Sequence, residues 1–109
     1  MISTQLQNNA IPVVSIAAGD DPYSAGIGDE VINVDTDGGD VTVNLPAGID
    51  SNHKKIVNTG TSGNTAVVVP DGTEQIRGGG AGVQCDVEDG ETLDVNFDPA
   101  TDDWLGYLE

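Results

Sequence analysis

The chain has 109 residues, and its 19 carboxylates face only three Lys and Arg, for a formal net charge of −16. That length holds one domain, and that charge leaves nucleic acid and anionic membrane surfaces without the cations they require of a partner. Ile, Leu, Val and Phe supply 27 residues, about a quarter of the chain, which lies above the roughly 20% below which disorder is expected. Thirteen Val and eight Ile against five Leu favour pleated structure over helix, because β-branched side chains are stiff at χ1 and pack well on a sheet.

Residues 1–10 are polar, with QNN at 7–9, and read as a flexible arm that lacks the basic start of a signal peptide. Ile11 to Ala18 is predicted as a strand with Pro12 at its start or on a sheet edge. GDDPYSAGIGD (19–29) is turn-rich, so residues 1–29 are read as an N-terminal arm and linker and 30–109 as a β module. Val31, Ile32 and Val34 run into TDGG (36–39), which predicts a hairpin. Val41, Val43 and Leu45 then alternate with polar residues up to Pro46, the period-2 pattern of a half-buried strand.

AGIDSNH (47–53) is a loop, KKIVN (54–58) a strand, and TGTSGN (59–64) a second loop. TAVVV (65–69) is a strand closed by PDG (70–72), and EQIR (74–77) is a short one followed by the flexible GGGAG (78–82). VQCDV (83–87) places Val83, Cys85 and Val87 on one face, and TLDVNF (92–97) places Leu93, Val95 and Phe97 inward. WLGYL (104–108) is the final strand. No stretch keeps a 3.6-residue period over ten positions, and none approaches the ~20 apolar residues of a membrane span. The predicted fold is all-β, a small antiparallel sandwich or barrel of seven to eight short strands with an extended N-terminal arm.

Three segments in order, DTDGGDVTVNLP (35–46), NTAVVVPDGTEQIRG (64–78) and TLDVNFDPATDDWLGYL (92–108), resemble the β-module of tailed-phage head-decoration and fibre proteins. The resemblance covers residues 30–108. It implies a non-enzymatic virion structural protein, made in the host cytoplasm and carried on the capsid exterior. The implied partners are two further copies, forming a homotrimer, and the major capsid protein. On this reading there is no cofactor and no small-molecule substrate. Ile11, Val13, Val14 and Ile16 are the expected docking contacts of the first strand. Lys54, Lys55 and Arg77, scarce cations on an acidic chain, are expected to pair with acids of another subunit, and Trp104 to anchor core or interface. Two rivals remain: a tail-fibre or spike module that binds host glycan, and an acidic mimic of DNA.

The chemistry-bearing residues give no recognisable catalytic set. DTDGGD (35–40) starts like a calcium loop, but the fifth and twelfth positions of an EF-hand fall on Gly39 and Pro46, which offer no side-chain oxygen. GGAGVQ (79–84) approaches a β-helix calcium repeat without the aspartate or the array. His53, the single histidine, reads as a surface loop residue, and Cys85 as a buried small hydrophobe with no cation to activate it. A single cysteine also means that no internal disulfide holds the fold. Acid pairs such as Asp102–Asp103 and Glu88–Asp89 are expected by chance among so many carboxylates.

Overall fold

The computed structural model describes residues 11–109, so the polar arm assigned to residues 1–10 lies outside the described residues. Ten strands are present among them, and no α-helix: β1 (Val13–Ala17), β2 (Tyr23–Ser24), β3 (Val31–Asp35), β4 (Val41–Asn44), β5 (His53–Asn58), β6 (Ala66–Val69), β7 (Gln75–Ile76), β8 (Cys85–Val87), β9 (Thr92–Asp98) and β10 (Asp103–Leu108). They form a six-stranded sheet in the order β1-β3-β5-β9-β10-β7 and a four-stranded sheet in the order β2-β4-β6-β8. The all-β class and most strand positions agree with the period-2 reading. The added strand, β2, is two residues long and sits in the segment read as linker.

The arrangement differs from the predicted antiparallel sandwich or barrel. β1, β3 and β5 pair in parallel in one sheet, and β2, β4 and β6 pair in parallel in the other. Each successive pair of strands is one coil laid on the last, so the first half of the chain is stacked like a solenoid. Parallel neighbours need a long crossover, and here each crossover is the strand of the opposite sheet.

The TDGG segment is therefore a corner between sheets and not a hairpin, since β3 and β4 never pair. Asp35 Oδ1 accepts the Asp37 N–H at 2.9 Å, and the Thr36 carbonyl accepts the Gly39 N–H at 3.1 Å. These two bonds turn the chain across the core instead of back along β3. The stack ends where the chain reverses. β8 runs antiparallel on β6, β9 antiparallel on β5, and β10 antiparallel on β9.

The inward side chains of the two sheets form one core. Ile32, Val34, Ile56, Leu93 and Val95 from the larger sheet meet Val41, Val43, Ala66, Val68 and Val87 from the smaller one, all without exposed surface. Leu93 and Val95 point inward as predicted, and Phe97 is half-buried. Val87 is buried and Cys85 half-buried, while Val83 lies exposed before the strand begins.

Asn58 holds one corner of the stack, with its amide wholly buried. Its Nδ2 donates to the carbonyls of Asn64 at 3.1 Å and Val87 at 2.9 Å. Its Oδ1 accepts from Thr36 Oγ1 at 2.8 Å and Gly60 N at 2.9 Å. A buried amide with every capacity filled ties two coils and β8 to one register, because a slip of either coil would orphan polar groups out of water.

Candidate functional site

β5 carries the densest group of functional side chains, and its alternation decides which way each points. Lys54, Ile56 and Asn58 face the core, whereas His53, Lys55 and Val57 face outward. Beside the start of β5 a cleft of about 410 Å³ is lined by Ile27, Glu30, Ile49, Asp50, Ser51 and His53, among others. A second groove, of about 210 Å³, lies on the outer face of the large sheet between Lys55, Thr92, Asp94, Tyr107 and Glu109.

His53 connects the two. Its Nδ1 lies 3.5 Å from Glu30 Oε2 and its Nε2 lies 2.8 Å from Asp94 Oδ1. Nε2 is hydrogen-bonded to Asp94, and the 3.5 Å approach of Nδ1 to Glu30 is an ion pair only when the ring is protonated. The residue sits in a strand, not in the surface loop expected from sequence. Its partners are 23 and 41 positions away, which is why local reading could not supply them.

Lys54 lies inside the molecule with no exposed surface. Its ammonium donates to the Gly26 carbonyl at 3.0 Å, to the Asp29 carbonyl, and to Ser51 Oγ at 2.7 Å. Ser51 Oγ in turn donates to the Ile27 carbonyl at 2.9 Å. Ser51 and Lys54 could be taken for a nucleophile and its base, but the bonding argues otherwise. All three ammonium donors are used, no lone pair faces the serine, and the serine proton is directed at a carbonyl. Burial holds the Lys54 ammonium below its ordinary range, opposed by the charges of Asp29 and Glu30. The arrangement fastens the 26–29 loop to the start of β5.

The same loop is held from its other side. Tyr23 Oη donates to Asp29 Oδ2 at 2.6 Å, and Gly26 N donates to the same oxygen at 2.8 Å. The bond to Asp29, helped by burial, pushes the Tyr23 phenol up to about 12. The same bond, with Gly26 and Lys54 adding to it against burial, lowers Asp29.

The sign of the pH dependence follows. An unfolded phenol loses its proton near its ordinary value of 10.0, so the Tyr23 contribution is full below pH 10 and is lost as pH rises to about 12. Lys54, held low, works in the opposite sense below its ordinary 10.5. The difference between the wild type and Tyr23→Phe therefore isolates the phenol. Ultraviolet titration is expected to show one of the two tyrosines ionising near pH 12 and to lose that phase in Tyr23→Phe. Urea midpoints of the two proteins should converge as pH rises from 10 to 12.

The eight residues singled out from sequence are not brought together. Ile16, Lys54 and Trp104 are interior, with little or no exposed surface. Val14 is half-buried against the core, whereas Ile11 and Val13 are 57% and 59% exposed at the edge of the large sheet. Lys55 lies on the outer face beside Asp94, and Arg77 is exposed just after β7. Arg77 also supplies the cation that the local sequence around Cys85 lacks. It partly offsets the burial that raises the Cys85 thiol, so the thiolate remains disfavoured.

The acids of DTDGGD work as turn acceptors. Asp37 Oδ1 takes Thr61 N at 2.7 Å and Ser62 Oγ at 2.9 Å, and Asp40 Oδ1 takes Thr65 N at 2.8 Å. Those bonds hold the Asp37 carboxyl below its usual range. Among the described residues no group of three or more His, Cys, Asp or Glu is placed to hold a metal ion.

The one signal that could have located Lys54 is parity, since it shares the inward positions of β5 with Ile56. Comparison with protein-family models, curated proteins and solved structures gives no match for this chain.

Proposed function

We propose that this chain is a virion structural protein, a decoration or cement unit that assembles as a homotrimer on the outside of a tailed-phage-like capsid. One observation carries the reading. The side chains able to do chemistry are spent on holding the fold, while a broad sheet face outside is left half-apolar. Lys54, Asn58 and Ser51 are consumed by internal hydrogen bonds, His53 Nε2 is held by Asp94, and the Cys85 thiol is disfavoured as a nucleophile. The resemblance of 35–46, 64–78 and 92–108 to phage β-modules gives this scaffold its biological setting.

A second reading, adhesion to host glycan, is favoured by Tyr107. The ring is 70% exposed beside the groove that also holds Asp94, Thr92 and Glu109, and an exposed aromatic with nearby acceptors can stack on a sugar. Trp104, the other aromatic considered for that role, is buried and unable to do so. The DNA-mimic reading loses ground because acids such as Asp20, Asp37, Asp40 and Asp89 are committed to capping separate turns.

Light scattering of the purified protein is expected to give the mass of three chains, each of 11.2 kDa. Antibody labelling of phage-like particles from the source culture is expected to mark the head. A monomer at high concentration, or label on the tail alone, would overturn the proposal.

A further inference from the structure

We infer that the Asp71–Gly72 link is a site of spontaneous covalent modification, where aspartate isomerises to isoaspartate through a cyclic imide. The inference stands apart from the assembly reading. The chain has three Asp–Gly links, at 37–38, 71–72 and 89–90, and no Asn–Gly. A glycine that follows an aspartate has no Cβ to screen its nitrogen from the neighbouring carboxyl. By sequence the three links are equivalent.

The step needs no partner but water. The glycine nitrogen attacks Cγ of the protonated carboxyl, an N–C bond forms, the C–OH bond breaks, and one water leaves with the amide proton. Water then opens the imide at either carbonyl. Opening at Cγ restores aspartate, whereas opening at the former main-chain carbon leaves the chain running through the side chain. The product has the same mass, and its backbone is longer by one carbon, about 1.5 Å.

Ring closure requires a carboxyl free to turn, an amide nitrogen free of other bonds, and room around the glycine. The fold denies at least one of these to two of the links. Asp37 Oδ1 is held by Thr61 N at 2.7 Å and Ser62 Oγ at 2.9 Å, bonds that also favour the ionised form of that carboxyl. A Cβ on Gly38 would stand 3.1 Å from Ala18 Cβ. Asp89 Oδ2 is held by Gly63 N at 2.6 Å, its Oδ1 is shut off from solvent, and Gly90 N donates to the Asn58 carbonyl at 3.0 Å.

Asp71–Gly72 meets all three requirements. Both residues are exposed. Among the described residues nothing donates to the Asp71 carboxylate, and Gly72 N donates to no carbonyl. No atom beyond its chain neighbours lies within 4 Å of the place a Cβ would take on Gly72. The turn leads from β6 to β7, and Glu74, three residues on, binds Gly48 N and Trp104 Nε1. β7 is two residues long and pairs only with β10. The added length therefore falls on the end of the large sheet and leaves the stacked coils in place.

The test stores the folded protein in warm neutral buffer and locates isoaspartate by peptide mapping with electron-transfer mass spectrometry. A sample unfolded in guanidinium chloride is treated alike. In the folded protein isoaspartate is expected to form at 71 at least about tenfold faster than at 37 or 89, the effect on a rate of one charged hydrogen bond that must first break. In the unfolded chain the three rates should lie close together. Asp71→Ser should remove the signal at that site and leave the other two unchanged. Absence of isoaspartate at 71 in the folded protein, or rates at 37 or 89 that match it, overturns the inference. The same preference for 71 in the unfolded chain overturns it as well, since the fold would then not be what selects the link.

Discussion

Lys54→Met is expected to lower the unfolding free energy by about 3 kcal/mol, because it removes the donor shared by three oxygens. The size follows from what is left behind. The buried Ser51 Oγ and the part-buried Gly26 and Asp29 carbonyls lose their donor, and a buried group left unsatisfied costs roughly 1–3 kcal/mol. Burial already penalises the ammonium, and that penalty is relieved in the variant, so the loss is smaller than the three bonds would suggest.

Against a total stability of roughly 5–15 kcal/mol for a small domain, the change should move the urea midpoint far. It should also release the 26–29 loop, seen as faster hydrogen exchange there than in β9. Lys55→Met, one residue on but outward-facing, should stay within about 0.5 kcal/mol. Equal effects at the two positions would refute the assignment of Lys54 to the interior.

Trp104→Ala is expected to cost about 3–5 kcal/mol, the range for removing a fully buried large side chain. Trp104 has no exposed surface and packs against Phe97 in a tilted pair, with ring centroids 5.3 Å apart and planes at 60°. Phe97 in turn lies so close to Gly48 that a Cβ there would come within 2.1 Å of the ring. The Glu74 carboxylate binds Gly48 N at 3.1 Å and Trp104 Nε1 at 3.3 Å. One indole therefore gathers the 46–50 loop, β9, β10 and the chain beside β7. Its loss leaves a cavity and takes from the Glu74 carboxylate one of its two partners. Because Trp104 is the only tryptophan, the comparison should be made by circular dichroism in urea, with Leu105→Ala as the outward-facing control. A loss below about 1 kcal/mol would show that the side chain is not packed as described.

Much of the local structure was legible. In β9 the inward positions Leu93, Val95 and Phe97 follow from alternation alone, and in β4 Val41 and Val43 do as well. Lys54 shows where that reading stopped short. Its parity pointed inward, but a lysine is so seldom buried unpaired that its charge outweighed its position. The partners that make its burial tolerable, at Gly26 and Asp29, lie on a loop 25 to 28 residues away.

Where most of the strands lie, which of their faces is apolar and where the chain must turn were settled by the sequence itself, since period-2 patterning and Gly/Asp turn chemistry act within a few residues. Which strands pair, and in which direction, was decided only in three dimensions. A strand buried on one face carries the same alternation beside a parallel or an antiparallel neighbour. The stacking left no readable repeat either, because 18 residues separate Val13 from its partner Val31 but 24 separate Val31 from Lys55. The outer face of the large sheet, with Lys55 in register with Asp94 and His53 Nε2 2.8 Å from it, exists only once those unequal coils are laid side by side.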